Sequence, residues 1–174
     1  MDVMRDAEGG TKADLAVIGG GLGGISATLA ALRQGLSVVL VEELGWLGGQ
    51  LTAQGVPPDE HPWIEHLHAS QSYAQLRHAI RDYYRTHLPL TPEAAGRFIL
   101  NPGQGNVGTL CHEPWVAVKV IDALLAPWEA RGRLRVLRLH RAQTAHTTGD
   151  CIDALTVRDI DAARSITLEA KLFI

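Results

Sequence analysis

The residues that most clearly indicate a chemical function are Gly19 to Gly24, where every position except Leu22 is glycine. Gly19, Gly21 and Gly24 have the spacing G-x-G-x-x-G. In such a turn the first glycine permits a tight bend, the second lets a phosphate approach the backbone, and the third lets a helix pack closely on a strand. The helix that follows offers N–H groups and partial positive charge to an anion. The spacing therefore predicts a pyrophosphate cradle formed by Gly19, Gly20, Gly21, Leu22, Gly23 and Gly24.

An acidic residue, Glu42, stands at the end of the next predicted strand. A carboxylate at this position accepts hydrogen bonds from the ribose hydroxyls of adenosine and repels a 2′-phosphate. The sequence thus predicts an adenine dinucleotide and disfavours NADP. The neighbouring Glu43 is included among the candidate cofactor-binding residues, although we expect it to point away.

The elements around these residues form a strand, a helix and a second strand. Residues 15–18 and 38–41 are continuous apolar runs, as expected of strands buried on both faces. Residues 22–34 are predicted to be helical, with Gly35 placed as a C-terminal cap. A unit this short implies parallel strands joined by a right-handed crossover.

The remaining chain combines helices and strands. Leu76, Ile80 and Tyr84 recur every four residues and predict a helix over 72–87. A second helix begins at Pro114, and Pro127 is expected to kink or end it. Period-two patterns then predict strands over 134–140, 152–157 and 166–174.

These elements predict an α/β fold, a Rossmann-like parallel sheet for FAD or NAD(P) with a helical insertion and an antiparallel β-meander. We expect a flexible N-terminus over residues 1–13 and one nucleotide-binding domain over 14–174. Residues 61–113 form a helix and loop excursion within that domain. The apolar run at 171–174 ends without a turn, so the domain is expected to be incomplete at its C-terminus.

Composition narrows the class of protein. The 174 residues are 46% hydrophobic and 20% charged, and the net charge of -3 argues against nucleic acid as a partner. No apolar run reaches the roughly 18 residues of a membrane span, and residues 1–13 do not resemble a signal peptide. Cys111 and Cys151 are far apart in sequence, which favours a reducing cytoplasmic location.

The sequence resembles the FAD-dependent oxidoreductases of the glutathione-reductase-type dinucleotide fold. Residues 14–27 and 38–42 carry the resemblance, together with the segment from Gly48-Gly49 to Thr52. A weaker match is Cys111-His-Glu-Pro114 with its helix and the strands that end in residues 171–174.

The resemblance implies roles for particular residues. Gly19, Gly21 and Gly24 would contact the FAD pyrophosphate, and Glu42 would hold the adenosine ribose. The segment containing Gly48, Gly49, Gln50 and Thr52 would lie along the flavin half of FAD. The family's last strand normally runs into a further FAD-contacting turn, and this sequence stops before that turn and lacks most of the family's substrate domain.

We therefore expect FAD binding in the service of redox chemistry on a small organic substrate, with catalytic residues left unassigned. Association with a missing C-terminal portion, or a homo-oligomer, is expected. Two alternatives stay open. One is an NAD-binding dehydrogenase domain, and the other is a non-catalytic nucleotide-binding remnant or subunit.

Three further groups of residues have simpler explanations than a functional site. Several histidines and acids are interpreted as loop or surface residues and not as metal ligands, because their spacing fits no metal-binding motif. These residues are His61, His66, His68, His112, Glu65 and Glu113. Cys111 is interpreted as a small buried or loop cysteine rather than a redox thiol or flavin attachment point. The basic stretch from Arg131 to Arg141 alternates with apolar residues, as in a half-exposed strand.

Overall fold

The computed structural model of the protein describes residues 2–5, 10–67 and 70–174. The strands are β1 (Met4–Arg5), β2 (Thr11–Ile18), β3 (Val38–Glu42), β4 (Leu134–Arg138), β5 (His140–Thr148), β6 (Cys151–Asp159) and β7 (Ser165–Phe173). The helices are α1 (Leu22–Arg33), α2 (Ile64–Leu67), α3 (Gln71–His87), α4 (Pro92–Gly96) and α5 (Pro114–Ala130), with a 3-10 turn at Gly49–Leu51. His68 and residues 1 and 6–9 of the predicted flexible N-terminus lie outside the described residues.

One sheet connects all the strands, in the order β4-β3-β2-β7-β6-β5, with β1 paired to β2. Strands β4, β3, β2 and β7 are parallel to one another. Strand β6 pairs antiparallel with β7 on one side and with β5 on the other. The predicted α/β class with a parallel sheet and an antiparallel meander is confirmed. The sheet already includes Thr11 to Ala13, which were expected to belong to the N-terminal segment.

The strand predicted over 134–140 is wrong in its length. Strand β4 ends at Arg138 and pairs in parallel with β3, so it belongs to the parallel sheet and not to the meander. Leu139 has a φ of 57°, a left-handed conformation that breaks the strand, and β5 begins at the next residue. Strand β5 was not predicted because its sequence is largely polar and most of its residues are exposed.

The helix that begins at Pro114 does not end at Pro127, contrary to one of the two outcomes expected for that proline. Helix α5 continues to Ala130. It closes at Gly132, whose φ is 70° and whose N–H donates to the Glu129 carbonyl at 2.9 Å.

The chain divides into two compact units, Met1–Gly49 with Leu124–Ile174, and Gln50–Ala123. In the first unit, one face of the parallel strands packs against the meander. The buried residues of this layer are Ala13, Ala16, Val39, Val41, Leu137, Leu155, Val157, Ile166 and Leu168. Val17, next to Ala16, faces the other side of β2, where its Cγ1 lies 3.3 Å from the position of a Cβ on Gly24 in α1. Burial on both faces explains the continuous apolar runs of β2 and β3.

In the second unit, α3 is the longest helix that lies wholly within it. The Ser70 hydroxyl accepts a hydrogen bond from the Tyr73 N–H and caps the helix. The predicted apolar face is buried, and so are Arg77 and Arg81, which are each only 2% exposed. Both guanidinium groups form ion pairs with Glu65, and Arg77 also pairs with Glu60, so these buried charges are compensated.

Candidate dinucleotide-binding site

The glycine turn joins the end of β2 to the start of α1. Gly19 has a φ of 115°, a conformation that favours glycine, and its N–H donates to the Val41 carbonyl at 2.8 Å. This bond ties the turn to the end of β3. Gly21 is the N-terminal cap residue of α1 and makes no side-chain cap hydrogen bond. The N–H groups of the first helical turn are therefore directed to a place where an anion could accept their hydrogen bonds.

The glycines of the turn have different surroundings. A Cβ on Gly21 would meet nothing within 4 Å, so this side of the turn is open to an approaching group. A Cβ on Gly24 would lie 1.8 Å from the Gly19 carbonyl oxygen and 3.3 Å from Val17 Cγ1. Gly24 is thus required for the packing of α1 against the turn and β2, whereas the absence of a side chain at Gly21 creates space.

The Glu42 carboxylate lies against the turn. Its Oε2 accepts a hydrogen bond from the Gly20 N–H at 2.6 Å, and its Oε1 accepts one from the Leu44 N–H at 2.8 Å. These two bonds fix the side chain at the end of β3. A carboxylate has about four acceptor positions, so it can accept further bonds from hydroxyl groups.

A second glycine segment, Gly48 and Gly49, packs against the glycine turn. The Gly48 N–H donates to the Gly20 carbonyl at 2.8 Å, and Gly48 and Gly49 have φ values of 114° and 55°. A Cβ on Gly49 would lie 3.2 Å from Gly21 Cα, so the two glycine segments are in close contact. Of the other candidates, Gln50 lies in the 3-10 turn and Thr52 is buried, and both belong to the second unit.

A cavity of about 340 Å³ adjoins the turn. Its lining includes Gly19, Glu42 and Glu43, and also His140 to Ala142 from β5, which were not among the predicted site residues. Glu43 forms an exposed ion pair with Arg141, whose hydrogen bond lowers the pKa of Glu43. The volume is within the range of small-molecule sites. No local motif marks residues 140–142, because only the pairing of distant strands brings them to this cavity.

The arrangement fits an adenine dinucleotide: an open glycine position at an uncapped helix N-terminus, with an acceptor carboxylate and a cavity beside it. The fold and site together define a Rossmann-type dinucleotide-binding protein. A family model described as FAD dependent oxidoreductase matches residues 14–174. The chain belongs to this family, and FAD is its cofactor, as the sequence resemblance predicted.

Curated relatives are similar over nearly the whole chain. Leghemoglobin reductase of Glycine max is 26% identical over 171 residues, which cover 95% of this chain and 31% of that protein. Mitochondrial dihydrolipoyl dehydrogenase of Schizosaccharomyces pombe is 28% identical over 170 residues, covering 97% of this chain and 28% of that protein. The chain therefore spans less than a third of the length of these relatives.

Solved structures show the same fold. Sdh1 of Mycobacterium smegmatis in complex with UQ1 has a TM-score of 0.55 and 13% identity, covering 93% of this chain and 33% of that chain. The myxobacterial chondrochloren halogenase CndH, a variant of FAD-dependent halogenases, has a TM-score of 0.52 and 19% identity, covering 93% of this chain and 36% of that chain. At these identities the comparison establishes the fold alone.

The structure also describes the surroundings of the residues considered above as a metal site, a redox thiol or a basic stretch. Within residues 2–5, 10–67 and 70–174, no group of three or more His, Cys, Asp or Glu side chains could hold a metal ion. Cys111 is buried, Cys151 is exposed, and neither forms a disulfide. Arg133 and Arg135 donate to the Gly35 carbonyl and the Thr11 hydroxyl, respectively. Among the helices described, none is long and apolar enough to cross a membrane.

Proposed function

We propose that the chain forms the FAD-binding part of an oxidoreductase that acts on a small organic substrate. The open position at Gly21, placed at the uncapped N-terminus of α1, is the observation that carries the proposal. Bound FAD would supply the redox chemistry, and the chain's own residues would bind and orient the cofactor.

Each part of the site has a matching part of the cofactor. The pyrophosphate would lie against the segment from Gly19 to Gly24, with Gly20 tied to Glu42, and would be held by the N–H groups at the helix N-terminus, those of Leu22, Gly23 and Gly24. Glu42 would accept hydrogen bonds from the adenosine ribose, and the adjoining cavity of about 340 Å³ would receive the adenine end. Glu43 would stand at the rim of that cavity. The segment of Gly48, Gly49, Gln50 and Thr52 would follow the flavin half.

The charge of Glu42 supports an unphosphorylated ribose. The carboxylate is held in place by two backbone N–H groups and cannot turn away without losing them. A 2′-phosphate would meet this fixed negative charge, so the site is expected to discriminate against NADP.

A cofactor titration tests the proposal. We expect the purified chain to bind FAD in preference to NAD, measured by quenching of flavin fluorescence and by calorimetry. Gly21→Val would fill the open position and weaken FAD binding at least tenfold. Gly96→Val is the matched control, because a Cβ on Gly96 would also meet nothing within 4 Å and Gly96 lies in the second unit.

A second pair of variants tests the ribose contact. Glu42→Ala is expected to weaken FAD binding strongly, and Glu43→Ala to have a smaller effect because its carboxylate is already engaged by Arg141. Preference for NAD, or equal FAD affinity in wild type, Gly21→Val and Gly96→Val, would refute the assignment of the site.

We also propose a cytoplasmic location and a contribution from residues outside this chain. The two cysteines are unpaired, which suits a reducing compartment. Because the relatives are more than three times as long, we propose that further polypeptide, or a second copy of the chain, completes the substrate site. Light scattering after gel filtration, with and without FAD, would detect a homo-oligomer.

A further inference from the structure

A second cavity, of about 610 Å³, lies within the second unit. Its walls are mainly apolar: Leu88, Pro89 and Leu90 follow α3, and Pro102 and Pro114 complete the lining from later segments. The volume is within the range that small-molecule sites occupy, and such sites combine apolar walls with a few placed polar groups. The apolar walls suit a hydrocarbon body.

The residues that line the cavity include one carboxylic acid side chain, that of Glu113. The Tyr84 hydroxyl donates to Glu113 Oε2 and accepts from the Glu113 N–H at 2.8 Å, so the carboxylate is held at the cavity. In the part of the chain that the structure describes, no lysine or arginine lies within ion-pair distance of Glu113. Its negative charge is therefore available to a ligand.

The two buried arginines of the same unit do not offset this charge. Arg77 and Arg81 are buried and form ion pairs with Glu60 and Glu65, so this cluster contains two positive and two negative groups. The field of the cluster is thus largely balanced, and Glu113 leaves the cavity with a net negative character.

His112 lines the same wall and does not offset the charge of Glu113. Its Nδ1 lies 3.1 Å from the Glu113 carbonyl oxygen, which assigns the proton to Nδ1 and leaves Nε2 as an acceptor. Nε2 is buried and has no hydrogen-bond partner among the described residues. Burial lowers the pKa of His112, so the ring is neutral at neutral pH and adds no positive charge.

We propose that this cavity binds a small organic cation, a primary or secondary amine with an apolar body. Its ammonium group would pair with Glu113, and its hydrocarbon part would lie against Leu88, Pro89 and Leu90. This proposal concerns binding in the second unit and does not rest on FAD binding.

Calorimetry on the complete chain with three six-carbon probes tests the proposal. Hexylammonium is expected to bind about tenfold more tightly than 1-hexanol, because it adds one charge-assisted hydrogen bond, and hexanoate is expected to bind most weakly. Glu113→Gln keeps an acceptor for Tyr84 but removes the charge, and it should abolish the preference for hexylammonium over hexanol. Glu93→Gln, in an exposed residue of α4 outside the lining, should leave all three affinities unchanged.

A measurement on the unmodified chain complements the variants. Titration with hexylammonium should shift the imidazole nitrogen resonances of His112, and those of the exposed His78 should stay in place. Equal affinity for hexanol or hexanoate, an unchanged preference in Glu113→Gln, or no shift at His112 would overturn the proposal. Gly21→Val should still bind hexylammonium, so loss of FAD binding and loss of amine binding are separately detectable.

Discussion

One added methyl group at Gly24 provides a stringent test of the packing at the glycine turn. A Cβ there would lie 1.8 Å from the Gly19 carbonyl oxygen. Carbon and oxygen reach ordinary contact at about 3.3 Å, so α1 or the turn would have to move by about 1.5 Å. Overpacking costs about 1–3 kcal/mol, and the obstacle here is backbone rather than a flexible side chain. We expect Gly24→Ala to lower the free energy of unfolding by about 3 kcal/mol.

Two neighbouring glycines supply matched controls for the same change. A Cβ on Gly21 or Gly23 would meet nothing within 4 Å. Gly23 lies inside α1, where alanine is favoured over glycine by about 0.5–1 kcal/mol, so Gly23→Ala should stabilise the protein. Gly21→Ala, at the cap position, should change stability by less than about 1 kcal/mol while weakening FAD binding.

Urea unfolding without FAD, followed by circular dichroism and tryptophan fluorescence, measures all three variants. The expected order of stability is Gly23→Ala, then Gly21→Ala, then Gly24→Ala. If Gly24→Ala were as stable as Gly23→Ala, the close approach of α1 to the turn would be refuted. Equal destabilisation at Gly21 and Gly24 would show that the space at Gly21 is not open.

Three further predictions concern charge, packing and backbone conformation. Burial raises the pKa of Glu65, but hydrogen bonds and charge from partners including Arg81 outweigh it and lower the pKa to about 2. The stabilisation that the Glu65 carboxylate gives the fold is therefore complete above about pH 4.5 and is lost as the pH falls toward 2. In urea titrations, Glu65→Gln should lower the free energy of unfolding by about 3–5 kcal/mol at pH 6 and by less at pH 3. A Cβ on Gly105 would lie 2.6 Å from Cys111 Sγ, so Gly105→Ala should lower the melting temperature and added Cys111→Ala should restore it; no recovery would contradict this contact. The exposed Ala163 has a φ of 53°, so Ala163→Gly should raise the free energy of unfolding by about 1 kcal/mol in urea titrations, and a loss of stability would contradict the strained conformation.

The glycine turn, the two strands beside it and the acid at the end of β3 could be predicted from the sequence, because the signals for them are local. Continuous apolar runs marked β2 and β3, and the glycine spacing marked the turn between β2 and α1. The acid at the end of β3 followed from the position of that strand. Each of these features depends on residues that are close together in the chain.

The remaining parts depended on contacts between distant segments. The polar strand β5 has no apolar alternation, and it is fixed by pairing with β6, so its residues at the cavity of about 340 Å³ gave no local signal. In α3 the apolar spacing was recognised, but the burial of Arg77 and Arg81 was not. That burial is explained by ion pairs with Glu60 and Glu65, from an earlier segment, and by hydrogen bonds from Arg81 to the carbonyls of Leu100 and Thr109, from later ones.

The position of β7 between β2 and β6 has a consequence for the order of folding. Strand β2 pairs with β7 in a register that places Thr11 beside Leu168, so the pairing has a very long sequence separation. Such pairings form slowly because a long loop must close first. During synthesis the edge of β2 that pairs with β7 stays without its neighbour until β7 has emerged. An unpaired apolar strand edge invites association between chains. The nascent protein is consequently most vulnerable to aggregation before β7 is inserted.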